Sequence, residues 1–385
     1  MQYSASEHTF AVETLELPPQ RTRLQEFWAQ LSKNRLALIG LAIFLLFFVV
    51  AVAGSLLTYG TSPKLDPSLV RLQEKLRPPL SAPNLESLLP EEVPPLGVYL
   101  LGTDELGRDV FARMLQGAKV SLEVGFVAVG IAVLIGVILG GLSGYYGDSP
   151  IRVGQVLIVI LAVLALVKWG KSLGGFLITL ALAVIAIAAA SVLLRHKKSR
   201  GPLPLLHAQL LSVDMLITSL IDIMLCFPSF FLILTVVALL PASTINIMIV
   251  IGLTSWMGAA RFVRAEFLSL REQDFVTAAR ALGVSDWRII FRHMMPNAIA
   301  PVLVSATIGI AMAILTEAGL SFLGFGVPPP DATWGNILSD GRYYLFDAPW
   351  LTIIPGVAIL VVVLSFNLFG EGMRDILNPK LRERH

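Results

Sequence analysis

Long uncharged runs alternate with short charged segments along most of this chain, a pattern typical of proteins that cross a membrane several times. The uncharged runs cover residues 36–57, 124–147, 172–194, 223–260, 294–316 and 348–370. A helix of about 20 residues, rising about 1.5 Å per residue, crosses a hydrocarbon layer of about 30 Å. Each run except 223–260 therefore predicts one membrane-spanning helix, and we expect an all-α polytopic membrane protein.

Two runs are interpreted differently because of their lengths. Residues 223–260 are too many for one span, and the proline and polar residues at 241–246 predict two helices joined by a tight external loop. Residues 153–167 are uncharged but would form only about 22 Å of helix. We expect this segment to be an eighth span, while a re-entrant hairpin or a surface helix is the alternative.

Composition excludes both a soluble globular protein and a nucleic-acid-binding protein. Hydrophobic residues make up 55% of the chain and charged residues 15%, far from the balance of soluble domains. The 29 basic and 27 acidic residues leave a net charge of +2, too small for the positive field that nucleic acids require. Cys226 is the single cysteine, so an intrachain disulfide is excluded.

The distribution of positive charge predicts which side of the membrane faces the cytoplasm. Basic residues cluster at 21–35, 195–200, 261–292 and 374–384. With eight spans, all four clusters fall on one side, which the positive-inside rule makes cytoplasmic. Both termini are then cytoplasmic. The first span is expected to be retained, because the N-terminal segment lacks the layout of a signal peptide.

The segment between the first two spans contains eight prolines between residues 59 and 98. Prolines exclude long helices, so an extended external loop is expected. Thr103 or Asp104 is expected to cap a helix that lies at the membrane interface. Three residues share the face that would meet the interface: Val110, Met114 and Ala118.

The next predicted span carries three glycines, Gly136, Gly140 and Gly144. Small residues at this spacing permit the backbone of another helix to approach closely. The glycines therefore predict helix packing along this span.

Residues 274–297 form a charged segment between predicted spans and show the pattern of two short amphipathic helices. Four residues fall on one side of the first helix: Phe275, Val276, Ala279 and Leu282. Gly283 follows where a left-handed residue would end that helix. Ser285 is expected to cap the second helix, with Asp286 in its first turn. The apolar residues of the second helix repeat at helical spacing: Trp287, Ile290, Phe291 and Met294.

The spacing of Ala278-Ala279, Gly283 and Pro296 resembles the "EAA" motif of importer permeases in the ATP-binding cassette superfamily. Thr277 stands where that family usually has glutamate. The resemblance implies that this loop docks onto an ATPase subunit, whereas the pattern alone would also fit helices lying on the membrane surface. The residues so implied to couple the chain to the ATPase are Asp274, Phe275, Thr277, Ala278, Ala279, Arg280, Leu282, Gly283, Ser285, Asp286, Trp287, Ile290, Phe291 and Pro296.

Further segments resemble dipeptide and oligopeptide permeases. Residues 101–122 are similar to the segment ahead of the second core helix of these proteins, and shorter matches follow in the same order between 215 and 382. By this resemblance the chain is identified as a C-type permease subunit of the peptide/nickel importer group. The implied fold is the transmembrane domain of a type I importer, with six core helices and a two-helix insertion.

The implied organisation divides the chain into seven parts. They are a cytoplasmic N-terminal segment (1–35), a first transmembrane helix (36–58), an external Pro-rich loop with an interfacial helix (59–117), a transmembrane helix (118–149), an inserted helical hairpin (150–212), a permease core (213–373) that contains the coupling helices (274–297), and a cytoplasmic tail (374–385). The family pattern assigns no role to the insertion.

The resemblance implies a permease subunit of an ATP-driven, binding-protein-dependent importer in the cytoplasmic (inner) membrane of a prokaryote. A paralogous permease would supply the other half of the path, two cytoplasmic ATPases the energy, and an extracytoplasmic protein the substrate. This chain would catalyse no reaction and hold no cofactor, while ATP and magnesium would bind to the ATPases. Peptides, nickel chelates and other small solutes all fit as substrates.

Asp222 and Glu317 lie in or near apolar runs, where an ionised side chain is costly unless it faces water or a partner. They are candidate pathway residues, although each could instead sit at the membrane interface. An ion-coupled secondary transporter could use the same carboxylates, but it should show an internal repeat of hydropathy, and the sequence shows none. A membrane enzyme would need clustered His, Asp or Glu at one depth, and the five histidines are scattered.

Overall fold

The computed structural model describes residues 28–29, 31–60, 63–147, 149–152 and 209–377. In chain order, its helices are α1 (Arg35–Thr58), α2 (Val110–Tyr146), α3 (Val213–Leu225), α4 (Ser229–Leu239), α5 (Thr244–Thr254), α6 (Trp256–Arg271), α7 (Asp274–Ala281), α8 (Asp286–Arg288), α9 (Met295–Phe322), α10 (Trp334–Gly341) and α11 (Trp350–Leu377). A π-helical stretch, Ile289–Met294, joins α8 to α9, and 3₁₀ turns cover Leu72–Glu74 and Arg342–Tyr344. Two short strands, β1 (Pro150–Arg152) and β2 (Gln209–Ser212), form the remaining regular structure of the described part.

Length and apolar composition identify the helices that can cross a membrane. Five stretches qualify by themselves: α1, α2, α5 with α6, α9 and α11. The pair α3 and α4 qualifies together but is bent by 80° between its two helices, and it brings the number to six. The described residues therefore form a multi-pass helical protein, as expected for six core helices. The predicted spans at 153–167 and 172–194 lie outside the described residues.

The long uncharged run 223–260 is broken between α3 and α4, between α4 and α5, and at Ser255 between α5 and α6. A tight loop separates α4 from α5 as predicted, and the side-chain amide of Asn246 donates a hydrogen bond to the carbonyl oxygen of Pro241 across it (2.9 Å). A second break, between α3 and α4, was not predicted. It falls at Pro228, which lacks a backbone N–H and disfavours helical geometry in the residue before it.

Helix α2 is one continuous helix of 37 residues, or about 55 Å. The prediction of a separate interfacial helix ahead of the span is wrong, because Val110 and Ala118 are buried against neighbouring helices instead of facing the interface. The N-cap is also different from the prediction. It is Asp109, whose carboxylate accepts a hydrogen bond from the backbone N–H of Phe111, while Thr103 and Asp104 bond elsewhere.

The predicted close approach along α2 is confirmed, and α6 is the helix that approaches. A Cβ atom at Gly136 would lie 2.5 Å from the Cβ of Ala259, and one at Gly144 would lie 2.5 Å from the Cβ of Phe267. At Gly140 a Cβ would overlap the carbonyl oxygen of Ala260. The three glycines therefore allow α2 and α6 to pack backbone to backbone down to the C-terminal end of α2.

Strands β1 and β2 pair in antiparallel fashion, with Pro150 opposite Ser212 and Ile151 opposite Leu211. The pairing brings together the two ends of the segment 153–208. Arg152 and Gln209, the described residues that flank this segment, lie opposite each other near the end of α2 and the start of α3.

The first and last spans also pack against each other. The hydroxyl of Ser365 on α11 donates to the carbonyl oxygen of Gly40 on α1 (3.2 Å), and the rings of Phe44 and Phe369 stack with centroids 6.2 Å apart. Helix α2 contacts α1, α5, α6 and α9 and so lies at the centre of the bundle.

Candidate coupling site

The predicted coupling helices, residues 274–297, are called here the coupling segment. Its first part, helix α7, has the predicted form. Helix α7 ends as expected at Gly283, whose φ is +73°. The backbone N–H of Gly283 donates to the carbonyl of Arg280, and the N–H of Val284 donates to the carbonyl of Ala279. These two bonds make a Schellman ending, which requires a left-handed residue at the glycine position.

The second part differs from the prediction, because it is not a separate helix. After one turn, α8 passes into the π-helical stretch and then directly into the membrane-spanning helix α9, where Pro296 lies in the first turn. Ser285 occupies the N-cap position, but its side chain makes no capping hydrogen bond. Asp286 lies in the first turn as predicted and accepts a hydrogen bond from the hydroxyl of Tyr145 (2.6 Å).

The predicted apolar faces of the segment divide into an inner and an outer set. The buried residues, which pack on α2, α6 and α9, are Val276, Ala279, Ile289, Ile290 and Met294. The outer set, named here the coupling face, is Phe275, Leu282, Trp287 and Phe291. Leu282 is 83% exposed and Trp287 is 69% exposed. The rings of Trp287 and Phe291 lie with centroids 3.9 Å apart.

The remaining residues implied by the motif are short or polar and lie on α7. Thr277 is exposed, and its hydroxyl donates to the carbonyl of Asp274 (2.9 Å). Ala278 is exposed, and the guanidinium of exposed Arg280 lies 4.9 Å from the centroid of the Tyr145 ring. The structure therefore brings the motif residues together at the end of α2.

A polar cavity of about 410 Å³ lies beside the coupling segment. Its lining residues come from the end of α2, the end of α6 and the coupling segment: Tyr145, Tyr146, Ser149, Arg271, Glu272, Arg280 and Asp286. Arg271 is paired with Glu272 (3.0 Å). The two arginines and the two carboxylates balance, so the lining has no strong net charge.

The two candidate pathway residues have different surroundings. Asp222 on α3 forms an ion pair with Arg261 on α6 (2.7 Å), and both side chains are more than half exposed on this chain. Glu317 on α9 is fully buried and accepts a hydrogen bond from the hydroxyl of Ser321 (2.6 Å). Glu317 therefore has no surface on this chain that could meet a solute directly, whereas Asp222 has one.

Sequence reasoning missed a polar junction that joins three helices near the C-terminal end of α2. The guanidinium of Arg264 on α6 donates to both carboxylate oxygens of Asp214 on α3 (2.5 and 2.6 Å), and the hydroxyl of Ser143 on α2 donates to the same carboxylate. In the sequence, Arg264 belongs to the basic cluster at residues 261–292. A distant acidic partner leaves no trace in a single sequence.

At the opposite end of the bundle, a group of charged residues joins the segment before α2 to the segment between α9 and α11. Asp104 and Arg113, both buried, pair at 2.5 Å, and Arg113 also reaches Asp340 on α10 (3.0 Å). Arg108 pairs with Asp104 (2.7 Å). Burial, followed by the charge of Asp104, raises the pKa of the neighbouring Glu105 carboxyl. This group, named here the external charge cluster after the orientation predicted from the sequence, fixes the start of α2 to α10.

Comparison with known proteins agrees with this architecture. The model of the family "binding-protein-dependent transport system inner membrane component" matches residues 203–383, and that of the "N-terminal TM domain of oligopeptide transport permease C" matches residues 22–79. The dipeptide transport system permease protein DppC of Alkalihalophilus pseudofirmus is 35% identical over 93% of this chain and 90% of its own length. The DppC protein of Haemophilus influenzae is 34% identical (94% and 97%), and the oligopeptide transport system permease protein OppC of Bacillus subtilis is 30% identical (91% and 87%).

Proposed function

Because the chain belongs to the family of C-type permease subunits of ATP-binding cassette peptide importers, we propose that it forms half of a translocation path driven by cytoplasmic ATPases. Its relatives are permease proteins, so its role is translocation and not catalysis. The relatives give no support to the ion-coupled transporter considered as an alternative. The names of the relatives favour a dipeptide or a longer peptide as the substrate.

The observation that carries the proposal is the coupling face. Four large apolar side chains point outward from a short charged segment, and an exposed apolar group of this kind favours a protein partner. A pair of helices lying on the membrane surface would bury its apolar residues in lipid. Here the buried apolar residues of the segment pack on the bundle, so the outward residues are left for a partner.

The partner proposed for the coupling face is one of two ATPase subunits, which bind ATP and magnesium. Rigid-body movement of that subunit would push the coupling segment, and the segment continues directly into α9 and follows α6 after a short turn. A paralogous permease would form the other half of the path, and an extracytoplasmic binding protein would deliver the solute. Asp222 is then the better candidate for a pathway residue.

Co-purification tests the coupling face. We expect Leu282→Asp and Trp287→Ala to reduce the amount of ATPase recovered with the tagged permease pair, because each removes apolar surface from the contact. Phe346→Ala is the matched control, since Phe346 is 96% exposed but lies in the loop before α11, on the other side of the membrane. Normal ATPase recovery with both coupling-face variants would overturn the proposal.

The orientation proposed from the sequence places the coupling segment and both termini in the cytoplasm. Single cysteines at Glu86 and Thr277, with Cys226 replaced by serine, are both on exposed sites and test this orientation. In intact cells with a permeable outer envelope, a membrane-impermeant thiol reagent should label the first and spare the second. Labelling of both sites, or the reverse pattern, would contradict the orientation.

A further inference from the structure

Tyr145 makes contact with both parts of the coupling segment. It is the penultimate residue of α2 and is almost fully buried. Its hydroxyl donates a hydrogen bond to the Oδ1 atom of Asp286 on α8 (2.6 Å). Its ring lies under the guanidinium of Arg280 on α7. One side chain of α2 therefore touches α7 and α8 together.

Helix α2 needs such a contact because it is not adjacent to the coupling segment in the chain. Helices α6 and α9 flank the segment covalently and must follow any movement of it. Helix α2 is joined by packing, and apolar packing lets surfaces slide, whereas a hydrogen bond to a carboxylate is directional and fixes a distance. Helix α2 is about 55 Å long, and Arg113 of the external charge cluster lies near its opposite end.

We infer that the Tyr145 hydroxyl is a positioning group, which holds α2 to the coupling segment so that movement of the segment during ATP hydrolysis also moves α2. The inference rests on the proposed function, because it assumes that an ATPase moves the segment. Tyr145 also lines the polar cavity beside the coupling segment, and a second interpretation is that this cavity binds an anion. The balanced charges of the cavity lining do not favour that interpretation.

Tyr145→Phe tests the inference, because it removes one hydroxyl and keeps the ring that packs under Arg280. In the complete complex, reconstituted in liposomes with its binding protein, we expect the amount of solute imported per ATP hydrolysed to fall about threefold to tenfold, the range for the net loss of one typical hydrogen bond. Assembly of the complex and its thermal midpoint should stay close to the wild-type values. Tyr344→Phe, the same chemical change in the loop before α11, should leave the ratio unchanged.

Asp286→Ala removes the other partner of the bond and separates positioning from general destabilisation. Both substitutions break the same hydrogen bond. If that bond carries the effect, the double variant Tyr145→Phe/Asp286→Ala should import as much solute per ATP as the single variant with the lower import ratio. A purely structural role would lower assembly and leave the ratio of import to hydrolysis unchanged.

Two outcomes would overturn the inference. One is a wild-type import ratio in Tyr145→Phe, and the other is additive losses in the double variant. If Leu282→Asp still reduces ATPase recovery in the same preparation, the proposed function stands and only the role of Tyr145 is lost. If neither variant has an effect, the coupling face itself is refuted.

Discussion

The external charge cluster and the coupling face differ in whether this chain itself supplies partners for their side chains. The external charge cluster buries Asp104 and Arg113 and gives each of them an ionic partner. The coupling segment instead leaves Leu282 and Trp287 exposed. Buried charges are tolerated only when they are paired within the fold, whereas exposed large apolar residues gain stability only from a partner. The charges of the external charge cluster are thus satisfied within this chain, whereas the apolar side chains of the coupling face are not covered by it.

This difference predicts different consequences of mutation on the two sides. A substitution in the external cluster should change the stability of the chain itself. A substitution in the coupling segment should leave the chain folded and change ATP hydrolysis and uptake by the assembled complex.

The largest effect is expected for Arg113→Ala. Removing Arg113 leaves Arg108 as the remaining ionic partner of buried Asp104, so we expect a cost below the value of about 3–5 kcal/mol that is typical when a buried charge is left uncompensated. We expect a lower thermal midpoint for the purified permease pair and less protein in the membrane. Glu272→Gln is the control from the coupling side. Its side chain is 72% exposed, so loss of its pair with Arg271 should cost at most about 1 kcal/mol. Equal destabilisation by both variants would remove the contrast between the two sides.

A smaller effect on stability, but a clear effect on activity, is expected for Gly283→Val. A β-branched residue at a φ of +73° costs on the order of 1–2 kcal/mol, and no neighbouring atom within 4 Å adds a clash. Membrane insertion and pairing with the second permease should persist. Substrate-stimulated ATP hydrolysis and uptake in a reconstituted complex should fall, because the coupling segment is displaced.

Gly324 provides the matched control for this substitution. Its φ is +87°, a Cβ would likewise meet no atom within 4 Å, and it lies in the loop after α9 on the other side of the membrane. Gly324→Val should therefore carry a similar strain without weakening the stimulation of hydrolysis. If the two variants lose stimulation equally, strain is felt throughout the molecule and the coupling segment has no special role.

The spans were predictable because a helix in lipid must satisfy its own backbone hydrogen bonds, so apolar length alone selects the structure. The ending of α7 at Gly283 was predictable for a similar reason, since a Schellman ending depends on a few adjacent residues. The N-cap of α2 was predicted wrongly. Asp104 was a reasonable N-cap by sequence, but it is bound by Arg108 and Arg113, and Asp109 caps α2 instead.

The coupling segment shows the same limit. Periodicity placed Trp287 and Ile290 on one face, yet Ile290 packs in the bundle and Trp287 points outward. An apolar residue at an interface with another subunit gives the same periodic pattern in the sequence as one that packs in the core. The bond from Tyr145 to Asp286 had no local signal, since the two residues are 141 positions apart.

The smallest effects on stability are expected at the N-cap residues of α2 and α8. They provide a further comparison between the external end of the bundle and the coupling segment. Asp109→Ala removes a carboxylate that bonds the N–H of Phe111 and should cost about 1 kcal/mol, because an unsatisfied helix N-terminus then lies beside buried groups. Ser285→Ala should change stability by less than about 0.5 kcal/mol, because the Ser285 side chain makes no capping bond. Thermal midpoints of the purified permease pair measure both changes under the same conditions. A loss at Ser285 as large as that at Asp109 would mean that Ser285 caps α8 in the assembled protein, and that the coupling segment is held by its own residues more firmly than its contacts indicate.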